Sequence, residues 1–359
     1  MNKSLKIIIN IAIFLVVIGF IWYMARSVNK EETTYAETQQ EEPFNSRYKE
    51  KFSFELPEEI NRFELYNGKL YISAGQSVYL YDTGGNRITS FHVKPGVRDI
   101  ATGENGIYIL YPTFIEVYSE DGILIREWEA CSELSDYCSF ALAGEFVFVT
   151  DTENKNICQY THEGNFVRFI KSPRGFIIPS YSFDIVSRND TIYCANSGRH
   201  LVESYTLNGD FIAAFGGPGS EAGFFAGCCN PAYITLTPAG ELLTSEKGNP
   251  RISSFERNGK FREVILNSRL LGGGNKAYEV CTDGERLFVA GKKIINIYQL
   301  PPALTQCHQV NEKIKTIVIS NEERNRKIAK KYCESAMSHT RFDMTRSEKE
   351  ECKILFIQS

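Results

Sequence analysis

Two cysteines stand side by side, Cys228 and Cys229, in the segment AGCCNP (226–231). Neighbouring thiols close a strained ring when they bond to each other, and strained disulfides are readily reduced. Three chemistries fit the pair. Each thiol bonds to a distant partner, or the two form a reducible vicinal disulfide, or they hold a soft metal ion with a third ligand such as His200. The chain has ten cysteines, and in an exported protein disulfides are the first expectation. Cys131 and Cys138 flank one short loop and are the best candidate pair; Cys333 and Cys352 are a second. No ordered Cys/His spacing points to structural zinc. No cofactor is expected, and a metal ion is possible.

A second group is Arg174, Arg199, His200, Phe225, Asn230, Glu246, Lys247 and Arg251, all in loops rich in Gly, Pro and Ser. Singly they read as solvated loop residues. As a set on one face they suit an anionic or peptide-like partner, because guanidinium and ammonium groups donate charge-assisted hydrogen bonds to carboxylates. Catalytic signatures are missing: the five histidines share no motif, and GxSxG, HExxH and GxxxxGK[ST] do not occur. GGPGSEAG (216–223) looks like a phosphate loop, but no helical pattern follows it, so it reads as a connector. A binding module is favoured over an enzyme, with a redox or metal-handling module at Cys228 and Cys229, or a metal-dependent lyase or hydrolase, as the alternatives.

The elements that position these residues repeat. VYLYDTGGNRITSF (78–91), IEVYSEDGILIREW (115–128), ICQYTHEGNFVRFI (157–170), VESYTLNGDFIAAF (202–215) and ISSFERNGKFREVI (252–265) each run strand, glycine turn, strand. Their turn glycines, Gly85, Gly122, Gly164, Gly209 and Gly259, are 37, 42, 45 and 50 residues apart, the length of one four-stranded propeller blade. A sixth copy, RLFVAG (286–291) and INIYQL (295–300), lacks a turn and a last strand. KFSFEL (51–56) can supply that strand, which closes the ring and removes two sheet edges. The expected fold is all-β, a six-bladed β-propeller over 49–300. Its glycine turns lie on one face. The loops carrying the charged set lie on the other, where variable loops on a rigid scaffold hold binding chemistry.

Repeats four and five, TIYCANSGRHLVESYTLNGDFIAAFG (191–216) and PAYITLTPAGELLTSEKGNPRISSFERNGKF (231–261), resemble NHL-repeat propellers, as does FVFVTDTENKNICQYTHEGNF (146–166). The likeness is good over roughly 145–265 and weaker elsewhere, and it extends to the looser bacterial six-bladed β-propeller group. It implies a fold and a habit of binding protein or RNA, while a few relatives are lyases or lactone-cleaving enzymes that use a central metal. The Cys228–Cys229 insertion departs from the family pattern.

Outside the repeats, residues 7–24 are almost wholly apolar, and eighteen helical residues span about 27 Å, close to the hydrocarbon core of a bilayer. Lys3 and Lys6 precede the stretch, and Trp22 and Tyr23 mark its end. The expectation is a single-pass anchor over 1–26 in the cytoplasmic membrane, with a polar linker over 27–48 and the propeller outside the cytoplasm, in the periplasm. A cleaved signal peptide is the rival reading. Residues 301–359 form a C-terminal extension, expected to be partly helical from a capping box at Ser320 and Glu323. Its basic helix either packs on the propeller or docks to a partner or an acidic lipid surface. Setting aside the four basic residues of the first thirty leaves 36 basic against 44 acidic side chains. That balance excludes general binding to a phosphate backbone, so no nucleic acid is expected. The expected partners are a protein, peptide or glycan at the loop-rich face, and a membrane through residues 7–24.

Overall fold

The computed structural model describes residues 15–20 and 44–300. Residues 15–20 are helical. No helix among the described residues is long and apolar enough to cross a membrane. The rest of the expected anchor, the linker up to residue 43 and the whole C-terminal extension, with Cys333 and Cys352, lie outside the described residues.

From Ser46 onward the chain builds six four-stranded antiparallel sheets. Blade 1 is β2 (Ile60–Tyr66), β3 (Lys69–Ala74), β4 (Ser77–Asp82) and β5 (Arg87–His92). Blade 2 is β6 (Asp99–Gly103), β7 (Gly106–Leu110), β8 (Phe114–Tyr118) and β9 (Leu124–Glu129). Blade 3 is β10 (Tyr137–Ala143), β11 (Phe146–Asp151), β12 (Asn156–Thr161) and β13 (Phe166–Ile170). Blade 4 is β14 (Ile185–Arg188), β15 (Thr191–Asn196), β16 (Leu201–Thr206) and β17 (Phe211–Gly216). Blade 5 is β18 (Tyr233–Leu236), β19 (Leu242–Glu246), β20 (Arg251–Phe255) and β21 (Phe261–Leu266). Blade 6 is β22 (Val280–Thr282), β23 (Arg286–Ala290), β24 (Ile294–Gln299) and, on its outer edge, β1 (Lys49–Glu55). The first strands of successive blades touch in a closed circle, β2 meeting both β6 and β22.

The middle strands of each blade are buried runs, such as Leu70–Ile72 and Ile107–Leu110, because neighbouring blades cover both faces. The outer strands of blades 1 to 4 each pack one large apolar side chain against the next blade's glycine turn. Gly122 (φ 77°) and Gly259 (φ 84°) need the left-handed conformation, and a Cβ there would sit 2.4 Å from Phe91 and from Phe215. β1 plays the same part for blade 1: Phe54 packs against Gly85 and stacks on Tyr81 with ring centroids 4.8 Å apart. The expected closing strand is therefore used as its neighbours are. It pairs with β24 from Lys49↔Gln299 to Glu55↔Ile294.

Leu56 follows β1, is 2% exposed and joins the core between blades 6 and 1. Leu56→Ala is expected to destabilise the domain by about 2–5 kcal/mol, read as a lower urea midpoint. An unchanged midpoint would mean that the ring does not depend on this closure.

Candidate functional site

Each blade's first strand begins at the loop-rich face, and the residue near its start carries a polar or aromatic group toward the axis. In chain order these are Arg62, Asp99, Ser139, Asp184, Tyr233 and Glu279. Arg62 binds the rest. Its Nε donates to Asp99 Oδ1 at 2.9 Å and lies 3.3 Å from Glu279 Oε1. Its Nη2 donates to Asp99 Oδ2 at 3.2 Å, Asp184 Oδ1 at 2.5 Å and Ser139 Oγ at 3.3 Å. The ring of Tyr233 lies 4.8 Å from the guanidinium carbon. One buried cation thus contacts all five other blades.

The carboxylates also stitch blades together through backbone N–H groups. Asp99 accepts from Phe140 at 3.0 Å, Asp184 from Ile234 at 2.7 Å and Glu279 from Phe63 at 3.2 Å. Glu64 accepts from the N–H of Thr102. Burial opposes the charge of Arg62, but Asp99, Glu279 and Asp184 outweigh it and hold the guanidinium protonated. Three carboxylates share this one cation, and Glu64 lies buried nearby without it. Burial pushes Glu64 and Glu279 up to about 8, despite the Thr102 N–H on the first and Arg62 beside the second, and raises Asp184 as well.

This layer divides the axial space. Toward the glycine-turn face lies a cavity of about 370 Å³ lined by Glu64, Thr102, Ser187 and apolar side chains. Toward the loop-rich face lies a mouth of about 440 Å³. Arg98, Lys247, Lys276, Asn61, Tyr181 and Tyr233 are among its walls, with Arg62 as its floor. Arg98 stands 5.1 Å from the Tyr181 ring and 3.4 Å from Asp136 Oδ1. Ser180 and Tyr181 adopt φ of 59° and 56°, a conformation that non-glycine residues hold only where the surroundings impose it.

Of the residues singled out from sequence, Lys247 and Cys138 line this mouth. Asn230 is buried beneath it and fixes Lys247: its side chain accepts from the Lys247 N–H and donates to the Lys247 carbonyl, both at 2.9 Å. The others do different work. Glu246 and Arg251 form a buried pair at 2.5 Å, and Arg251 also donates to the carbonyls of Ser220, Glu221 and Phe224. That clip holds the connector 217–232. Phe225 is fully buried and packs 5.8 Å from Phe255. Arg199 donates to the carbonyls of Gly175 and Arg174, while the Arg174 side chain is exposed. His200 caps the short 3-10 turn Ser197–Arg199 at φ 58°, with a buried Nδ1 that has no hydrogen-bond partner.

The cysteines differ from expectation. Cys131 and Cys138 are not neighbours: Cys131 Sγ lies 3.3 Å from Cys158 Sγ, and the Cys138 thiol donates to the Tyr181 carbonyl at 2.8 Å. The connector between them leaves the outer edge of blade 2 and ends at the axis, so nearness in sequence does not bring its ends together. Cys228 and Cys229 are free thiols with sulfurs 3.1 Å apart. Burial raises the Cys229 thiol, but Lys247, Cys228 and Ser180 outweigh it and lower its pKa. Among the described residues no group of three or more His, Cys, Asp or Glu side chains is arranged to hold a metal.

The axial residues do not show when the repeats are aligned on their glycine turns. Aligning the first strands, NRFELY, RDIATG, CSFALA, FDIVSR, AYITLT and YEVCTD, puts the axial residue second in every copy, always before an apolar one.

No family model matches the chain, and no curated protein matches it. Solved structures do. Virginiamycin B lyase from Staphylococcus aureus superposes with a TM-score of 0.52 at 15% identity, over 71% of this chain and all of that one. A protein of unknown function from Bacteroides thetaiotaomicron superposes with a TM-score of 0.50 at 12% identity, over 71% of this chain and 72% of that one. At such identities the likeness concerns the fold alone. The chain is a six-bladed β-propeller, and its likeness to NHL repeats remains one of repeat pattern.

Two outcomes test the axial layer. Arg62→Met strands the buried carboxylates and is expected to cost about 3–5 kcal/mol at neutral pH, less in acid, where those carboxylates take up protons. The second concerns Glu64, whose folded pKa of about 8 exceeds the ordinary 4.5. The folded state therefore binds the extra proton between those values, and its stability falls as pH rises through that window. Glu64→Gln should flatten the decline in melting temperature from pH 5 to 9. An equally steep decline in the variant would assign it to other groups.

Proposed function

We propose that this chain is a binding module whose loop-rich propeller face takes a protein or peptide partner, with an acidic group of that partner entering the axial mouth. The observation that carries this reading is the mouth itself: a cavity of about 440 Å³ with Arg98, Lys247 and Lys276 on its walls, above a floor where Arg62 is already matched by its own carboxylates. Basic side chains converging on a recess favour a carboxylate, and a recess shields the pair from screening better than open surface does.

The rim favours a polypeptide partner. Leu134, Ile177, Tyr181, Phe224 and Leu270 are exposed large apolar residues on the loops of this face. Apolar and aromatic contacts around a charged anchor are what protein interfaces use. Propellers commonly serve as such scaffolds. The net charge of -4 argues against nucleic acid as the partner. In this reading the apolar stretch 7–24 tethers the module to the cytoplasmic membrane and holds the propeller outside the cytoplasm. Its support is hydropathy and the flanking lysines.

Lys247→Glu combined with Lys276→Glu reverses the charge of the mouth without touching the core. Binding of a fluorescent oligoglutamate peptide to the full chain, read by anisotropy, should weaken at least about tenfold, a loss of roughly 1.4 kcal/mol. It should weaken with added salt in the unaltered chain as well. Equal affinity of both chains, or a preference for oligolysine, would overturn this assignment of the mouth.

A further inference from the structure

Cys131 and Cys158 are brought together by parts of the chain that the sequence gives no reason to pair. Cys131 lies in the connector 130–136 that leaves blade 2. Cys158 lies on β12, the third strand of blade 3, and is fully buried. Their sulfurs are 3.3 Å apart. The connector is held there by its backbone: the N–H of Ala130 donates to Thr113 O at 2.8 Å, and that of Tyr137 to Pro112 O at 2.8 Å. The Cys131 N–H donates to the Tyr137 hydroxyl at 3.1 Å, and that hydroxyl in turn touches the Tyr160 hydroxyl. Around Cys158 pack Tyr137, Val149 and Tyr160. No third ligand accompanies the two sulfurs among the described residues, so the arrangement suits a covalent link rather than a metal.

We propose that Cys131 and Cys158 form a structural disulfide when the protein meets a disulfide oxidant. Cys131 is half-buried and Cys158 fully buried, so exchange enters at Cys131. Its thiolate attacks a donor disulfide, such as an oxidoreductase disulfide or glutathione disulfide, forming a mixed disulfide and releasing one donor thiol. The Cys158 thiolate then attacks the Cys131 sulfur and releases the second. Two electrons pass to the donor, and the two protons end on its thiols. Reaching bonded separation asks the sulfurs to approach by roughly 1 Å. The two neighbouring possibilities fit less well. Cys138 is engaged with the Tyr181 carbonyl. Cys228 and Cys229 are adjacent in the chain, and a bond between them closes a strained ring.

The link closes a loop between positions 27 apart and pins the connector that carries Asp136. That carboxylate pairs with Arg98 at the wall of the mouth, 3.4 Å away. The disulfide would thereby hold one wall of the axial recess to blade 3.

The test uses the full chain, purified reduced and treated with glutathione disulfide, then alkylated and digested without reductant. Mass spectrometry should find one peptide joining Cys131 to Cys158, and the oxidised protein should melt higher than the reduced one. Cys138→Ser should retain the linked peptide, whereas Cys158→Ser should leave glutathione on Cys131. A peptide joining Cys131 to Cys138 in the unaltered chain would overturn the proposal. So would recovery of both Cys131 and Cys158 as alkylated thiols after denaturation. Because the unaltered chain alone decides these outcomes, a variant that fails to fold does not rescue the idea.

Discussion

Six sheets arranged around an axis converge on one line, where the first strands bring a polar or aromatic side chain from every blade together. This propeller places Arg62 on that line, held by Asp99, Asp184 and Glu279, with Ser139 and the ring of Tyr233 beside them. A buried guanidinium is costly unless its donors are matched by acceptors. Here the acceptors come from different blades, so the charge is satisfied only once the ring has closed. The same carboxylates accept backbone N–H groups across the interfaces of blades 2–3, 4–5 and 6–1. The layer therefore fixes the spacing of the blades, and in doing so it floors the mouth on one side and caps the acidic cavity on the other.

Farther from the axis the constraint changes character. Between blades the contacts are mostly apolar, and they repeat. A large side chain on the outer strands of blades 1 to 4, Phe91, Trp128, Ile170 and Phe215, fills the space beside the next blade's turn glycine. Volume sets this pattern: a Cβ on those glycines would overlap the ring. The N-terminal β1 enters the same pattern through Phe54, so joining the chain ends costs the ring no special packing.

The loop-rich face combines rigidity with chemistry. Several arginines there, Arg199 and Arg251 among them, are spent on backbone carbonyls and hold loops in shape. What remains to face the axis is a smaller set, Arg98, Lys247 and Lys276. Asn230 grips both backbone groups of Lys247, which gives that side chain a fixed origin at the rim. Lys247 also lowers the pKa of the neighbouring Cys229 thiol, against the burial that raises it. The free thiols of this face and its cationic recess are thus electrostatically linked.

Sequence alone determined the ring, because the signals for a blade are local. A glycine that must take positive φ, a strand on either side and a spacing near blade length can be read within forty residues. The missing last strand of the sixth copy and the lone strand at 51–56 then required closure. The loop-rich face followed from strand order. Only the tertiary structure decided what that face does with its residues. Arg62, Asp99, Asp184 and Glu279 are far apart in the chain and meet only on the axis of the closed ring. Cys131 stands seven positions from Cys138 yet lies against Cys158, because its connector crosses from the rim of one blade to the centre of the next. Whether an arginine binds a partner or a nearby carbonyl depends on where loops come to rest, and that is settled by packing between blades rather than by spacing along the chain.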